Sequence, residues 1–148
     1  VYAAGDITQF YDVLLGERAQ NGAWGSAKEQ GSIAGANMVG AFDSPAKTFE
    51  WVSSYSITHF DFPFLSFGHP TLGDNSVERK YSDTEWRRVA LKDGKVVGGV
   101  LIGDLSPQSA LKQLAREQVD LTGREKRLLE EKVPADELIA GAVEAEAE

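Results

Sequence analysis

The spacing of apolar and polar positions changes character near residue 48. Before it, a short apolar run, Val1-Tyr2-Ala3-Ala4, ends in Gly5-Asp6 and predicts a buried strand. Residues 7–23 read as a polar, glycine-bearing loop, with Phe10, Tyr11, Val13 and Leu14 as its anchors to a core. Residues 24–40 read as a helix. Its face at Ala27, Gly31, Ala34 and Met38, spaced i, i+4, i+7, i+11, is nearly all small side chains. Residues 41–47, with the turn signal Asp43-Ser44-Pro45, read as a linker.

From Thr48 the pattern turns to strands, rich in aromatic, β-branched and Ser/Thr residues. Phe49 to Phe60 and Phe62 to Phe67 are the first two runs, and Val77 to Ser82 is an edge-like third. Asp93-Gly94 between Glu85–Lys92 and Lys95–Gly103 is a strong two-residue hairpin signal. Helices follow. Ser106-Pro107 predicts an N-cap and first helical residue, ahead of a stripe at Ala110, Leu111, Leu114, Ala115 and Val119. Thr122-Gly123-Arg124-Glu125 has capping-box spacing, and Pro134 separates a last helix over 135–143 from it. The end, Ala142 to Glu148, is low in complexity and expected to fray. Strands followed by helices define an α+β class: an antiparallel sheet with C-terminal helices, preceded by a strand–loop–helix segment. The expected divisions are 1–40, a linker at 41–47, an α+β domain at 48–120 and a helical acidic tail at 121–148.

Composition narrows the function classes. The 148 residues are 42% hydrophobic, enough to bury a core. Net charge is −8, of which the span from Glu130 to Glu148, seven acids and Lys132, carries −6. That tail reads as a solvated face, and an acidic chain without a basic stripe argues against nucleic acid as a partner. No apolar run is long enough for a membrane helix. The chain has no cysteine, which excludes an internal redox dithiol or thiolate metal site and fits a cytoplasmic setting. The chain opens at Val1, within the expected buried strand, and this reads as a fragment of a longer protein.

Candidate chemistry sits in the first forty residues. Gly5 lets the backbone approach a bulky ligand, and the Asp6 carboxylate can accept a hydrogen bond from a hydroxyl. A plain turn-capping Asp is the competing reading. The helix start at Trp24-Gly25 offers free N–H groups and a partial positive charge, suited to an anionic partner. Trp24 can lie on a ligand or pack beneath the loop. Gly31 and Gly35 pay the helix cost of glycine, which points to close approach of another backbone or a planar ligand. His69-Pro70-Thr71, with Asp74 five residues after His69, reads as a turn. His59 and Asp61 share a strand face by i, i+2 spacing, but two histidines without fixed ligand spacing make no metal site. No residue is a catalytic acid, base or nucleophile with an evident partner. There is no Gly-x-Gly-x-x-Gly and no Walker lysine.

Tyr2-Ala3-Ala4-Gly5-Asp6, then Trp24-x-x-Ala27-x-x-Gln30-Gly31 and Ala36-Asn37-Met38-x-Gly40, resemble the second flavin-binding stretch of FAD-dependent pyridine nucleotide-disulfide oxidoreductases. The NAD(P)H-nitrite reductase and rubredoxin reductase branch is the most similar. Tyr81, the Asp93-Gly94 hairpin and Val97-Gly98-x-x-Leu101-Ile102-Gly103-Asp104 resemble the C-terminal domain of the same enzymes, so the resemblance covers about residues 1–120. It implies that 1–40 is the last part of an FAD-binding domain. Asp6 would bond a ribityl hydroxyl, Gly5 would permit its approach, and Trp24 and Gly25 would lie near the flavin pyrimidine. It implies FAD as cofactor of the intact enzyme, NAD(P)H as hydride donor, and the rest of the FAD/NAD(P)H-binding polypeptide as partner. An interaction module is the alternative, with aromatic Phe62 to Phe67 as a self-pairing sheet edge and a homodimer as product.

Overall fold

The structure is a computed structural model that describes residues 1–40 and 45–146. The first part of the expected linker, 41–44, and the last two residues of the expected frayed end lie outside the described residues. Two compact units are present, Val1–Ser53 and Ser54–Glu148.

The first unit holds a small hairpin and one long helix. Strands β1 (Phe10–Asp12) and β2 (Glu17–Ala19) pair antiparallel, with Tyr11 opposite Arg18. The turn between them is tied by the buried Asp12, whose Oδ1 accepts from the N–H of Leu14 at 2.8 Å. The expected loop of 7–23 is therefore folded, and strands of three residues are too short to leave an alternating pattern. Helix α1 spans Trp24–Gly40. Its buried side chains are Ser26, Gln30 and Ala34, an i, i+4, i+8 line. An aromatic stack completes the core: Phe10 meets Phe49 edge-on at 5.0 Å, and Phe49 stacks on Trp51 at 6.4 Å. The Asn37 side chain donates to the carbonyl of Lys47 and accepts from its N–H, closing the chain back on α1.

Val1 to Ala4 form no strand, and Val1 and Tyr2 are exposed. The expected buried strand is absent for a simple reason. An extended segment gains its stability from ladder hydrogen bonds to neighbours, and no described strand pairs with it.

The second unit is a five-stranded antiparallel sheet in the order β3-β4-β7-β6-β5, with helices after it. The strands are β3 (Ser54–Ile57), β4 (Phe64–Gly68), β5 (Asn75–Lys80), β6 (Trp86–Lys92) and β7 (Lys95–Ile102). The Asp93-Gly94 hairpin forms as expected, with φ of 50° and 75° at its two central residues. Both positive angles are what a twist-matched two-residue turn requires. The third run is the edge strand β5, also as expected.

The aromatic run at Phe62 to Phe67 behaves differently from the self-pairing expectation. β4 is bonded on both sides, by β3 and β7, and Leu65 and Phe67 are buried. It presents no free edge. The run from Phe49 to Phe60 keeps only four strand residues, because Phe49 and Trp51 are spent on the core of the first unit.

Two adjacent glycines in β7 allow close approaches. A Cβ on Gly98 would stand 2.5 Å from the backbone of His69, and one on Gly99 would stand 2.7 Å from the Phe67 ring. Helix α2 (Gln108–Arg116) packs on β7 through Leu111, Leu114 and Ala115. Ser106 does not cap it. Its hydroxyl and N–H both donate to the carboxylate of Asp104, and Pro107 occupies the cap position. A 3-10 turn, Glu125–Leu129, and helix α3 (Ala135–Glu146) follow. The expected capping box does not close, because the Thr122 hydroxyl donates to Asp120. Leu121, Leu128, Val133 and Leu138 from this stretch are buried.

Candidate functional site

The first unit carries the residues singled out for ligand chemistry. Gly5 has φ +92°, and the N–H of Thr8 donates to its carbonyl at 3.0 Å. Gly5, Asp6, Ile7 and Thr8 thus form a tight turn opened by a residue in a conformation that suits glycine. Asp6 and Ile7 are exposed at its tip. The turn is fastened to α1 by one side chain. Gln30 Oε1 accepts from the Gly5 N–H at 2.8 Å and lies 2.6 Å from the Thr8 hydroxyl. Gln30 is itself buried, and its Nε2 donates to the hydroxyl of buried Ser26 one turn earlier.

Asp6 has no hydrogen-bond or ion-pair partner among the described residues. Its carboxylate faces Gly22, where an added Cβ would stand 3.7 Å from Oδ2. The stretch after Gly22 enters α1. No acid stands in the first turn of that helix, and Ala23 before it has no side-chain acceptor. The leading N–H groups of α1 therefore keep their donor capacity. Trp24 is 80% exposed, with Lys28 Nζ 5.3 Å from its ring centre. Gly25 lies against the Trp51 ring, at 3.4 Å from an added Cβ. Gly31 and Gly35 have nothing within 4 Å of where a Cβ would stand. Those two glycines face open space, whereas Ala34 of the expected small-residue face is buried.

Gly5 and Asp6 are thus joined to the helix that Trp24 and Gly25 begin. Gln30 stands in the motif Trp24-x-x-Ala27-x-x-Gln30-Gly31, but the sequence assigns it no role of its own. The available signal was Ser26 and Gln30 at i, i+4, two polar side chains on what proves the buried line of the helix.

The other sequence candidates resolve as framework. His69 begins a turn, with the Leu72 N–H donating to its carbonyl and its own N–H donating to Val97. Asp74 accepts from the N–H of Asp93 at 3.0 Å and so braces the hairpin. The strand face proposed for His59 and Asp61 does not exist, because β3 ends at Ile57 and both residues are exposed beyond it. Among the described residues no three His, Asp or Glu side chains gather as a metal set. No helix among the described residues is long and apolar enough to cross a membrane.

A second polar cluster lies in the second unit. Tyr81 is flanked by two guanidiniums, Arg79 at 4.8 Å and Arg87 at 5.1 Å from its ring centre. Arg87 is buried and donates through Nη1 to the carbonyls of Leu128 and Glu130. Burial pushes the Tyr81 phenol up, with the two arginines opposing. The cluster fastens the 3-10 turn to the sheet.

Residues 56–119 match the family model of the rubredoxin NAD+ reductase C-terminal domain. No curated protein matches the chain. Among solved structures, the covalent putidaredoxin reductase–putidaredoxin complex aligns with a TM-score of 0.75 at 19% identity, over 95% of this chain and 33% of that one. The NADH:rubredoxin oxidoreductase from Clostridium acetobutylicum aligns with a TM-score of 0.53 at 20% identity, over 95% and 32%. An FAD-dependent pyridine nucleotide-disulphide oxidoreductase from Desulfovibrio vulgaris aligns with a TM-score of 0.64 at 16% identity, over 98% and 38%. The chain spans about a third of the length of these structures. Residues 56–119 thus resemble the rubredoxin NAD+ reductase C-terminal domain, and the chain has the fold of the C-terminal portion of FAD-dependent pyridine nucleotide-disulfide oxidoreductases.

Proposed function

We propose that the chain is the C-terminal portion of a cytoplasmic flavoprotein NAD(P)H reductase of the rubredoxin reductase or nitrite reductase type. FAD, where bound, supplies hydride acceptance from NAD(P)H and onward electron delivery to an acceptor such as a rubredoxin partner or a nitrite reductase module. This chain's share is to bind and orient. Asp6 accepts from a ribityl hydroxyl, Gly5 gives the backbone room for that approach, and the helix start at Trp24-Gly25 points donors at the pyrimidine side. The rest of the FAD- and NAD(P)H-binding polypeptide is the partner.

The observation that carries this reading is the free Asp6 carboxylate on a fastened turn, beside a helix whose Gly31–Gly35 strip is open. Those features fit a flavin: an acceptor for hydroxyls, unspent N–H donors and room for a flat group. Half a site binds weakly, because the remaining contacts still bear the whole cost of association. The isolated chain is therefore expected neither to retain FAD on purification nor to oxidise NADH. At millimolar FAD it should show saturable amide shifts in NMR at residue 6 and Gly25, and Asp6→Ala, which removes the acceptor, should abolish the first. Stoichiometric yellow flavin on the purified 148-residue chain would overturn the partition of the site. The interaction-module reading, with a homodimer as product, now rests in the five-stranded sheet on its outer strands β3 and β5. Concentration-dependent light scattering tests it.

A further inference from the structure

We propose that Gln30 is the positioning residue of the flavin site, holding the Asp6 carboxylate at the place where a ribityl hydroxyl arrives. This rests on the flavin reading above and adds the device that makes Asp6 competent.

The turn at Gly5–Thr8 is exposed, short and led by a glycine, so by itself it has little to fix its direction. Gln30 grips it at both ends through a single atom. Its Oε1 takes the N–H of Gly5, the first residue, and stands 2.6 Å from the hydroxyl of Thr8, the last. The Thr8 hydroxyl also lies 2.8 Å from the Gly5 carbonyl, which ties the two ends together. Asp6 sits between the gripped ends, and no described residue bonds its carboxylate.

The grip is anchored in the helix. Gln30 is 6% exposed and Ser26 is 0% exposed. The Ser26 hydroxyl accepts from Gln30 Nε2 at 3.2 Å, and the Gly5 N–H, which can only donate, sets the oxygen end of the amide toward the turn. A buried amide bonded at both its oxygen and its nitrogen has few alternative orientations. The same helix that begins at Trp24 therefore sets the position of Asp6, and the two flavin-facing parts move as one piece.

The test uses the intact 148-residue chain, with FAD as the probe and the Asp6 amide shift as the readout. Gln30→Leu removes both acceptor contacts. It should weaken the apparent FAD affinity about tenfold, the size of one lost charge-assisted hydrogen bond. Gln30→Glu keeps the acceptor atom and should retain most of the response. Thr8→Val leaves the helix untouched and should give a smaller loss, which keeps the test informative if Gln30→Leu fails to fold. Hairpin amides at Tyr11 and Arg18 should be unchanged in every folded variant. If Gln30→Leu and Thr8→Val respond to FAD as the parent chain does, the positioning role is overturned while the flavin reading stands. If the parent chain gives no Asp6 response at all, the flavin reading and this role fall together.

Discussion

The Tyr81 hydroxyl donates a 2.5 Å hydrogen bond to the backbone carbonyl of Leu129, joining the end of the edge strand to the last residue of the 3-10 turn. The bond locks a segment that otherwise has few backbone links to the sheet. Tyr81→Phe should destabilise the chain by about 1 kcal/mol, the usual net value of such a bond. Thermal unfolding of the two proteins measures it.

The same phenol should titrate late. Burial raises its folded-state pKa above the ordinary 10.0. Its contribution to stability is therefore complete below pH 10 and is lost as pH rises through the higher folded value. Ultraviolet titration should show one tyrosinate appearing after the others, and Tyr81→Phe should remove that step.

Arg87 makes a harsher test of the cluster. Its guanidinium is 2% exposed and is answered by two carbonyls, with no carboxylate bonded to it among the described residues. Arg87→Ala leaves those carbonyls unpaired and a cavity behind, at an expected cost of about 2–4 kcal/mol. Arg87→Lys should recover only part of the loss, since an ammonium can donate to both carbonyls but lacks the flat face that lies on the Tyr81 ring. Urea unfolding midpoints separate the three proteins.

The glycines should divide into two groups of opposite sign. Gly98→Ala drives a methyl into the His69 backbone, which cannot rotate away, and should cost about 1–3 kcal/mol. Gly31→Ala meets nothing and removes the helix penalty of glycine, so it should stabilise the chain by about 0.5–1 kcal/mol. A stabilised Gly31→Ala chain with a diminished FAD response would place the flavin on that strip.

Asp120 sets the acid limit of the β6–β7 hairpin's support. The Thr122 hydroxyl and N–H both donate to its Oδ1, at 2.7 and 2.9 Å, and hold its carboxyl below the ordinary 3.8. The unfolded chain then takes up the proton first. The stabilisation is present above pH 3.8 and fades as pH falls through the lower folded value. Asp120→Asn should flatten that part of the acid-unfolding curve.

The sequence makes the second unit more readable than the first, and the reason is physical. The Asp93-Gly94 turn, the edge strand and the Leu111-Leu114-Ala115 stripe are local signals, each confined to a few adjacent residues. The failures are contests between partners. Ser106 could cap α2 or bond Asp104, and Thr122 could close a box or bond Asp120; in both cases the nearby carboxylate won. The Val1–Ala4 run has strand composition but no strand beside it. In the proposed site, Gly5, Asp6, Trp24 and Gly25 are named by a motif. Gln30 is in the same motif, but its role is not readable there, because it lies in bonds to residues 22 and 25 positions away.

Trp24, 80% exposed and overlain by Lys28, gives the helix start an optical signal of its own. An indole in water emits at longer wavelength than half-buried ones such as Trp51 and Trp86. Any body that settles on this end of α1 should shift that emission to the blue, so docking can be followed without attaching a dye.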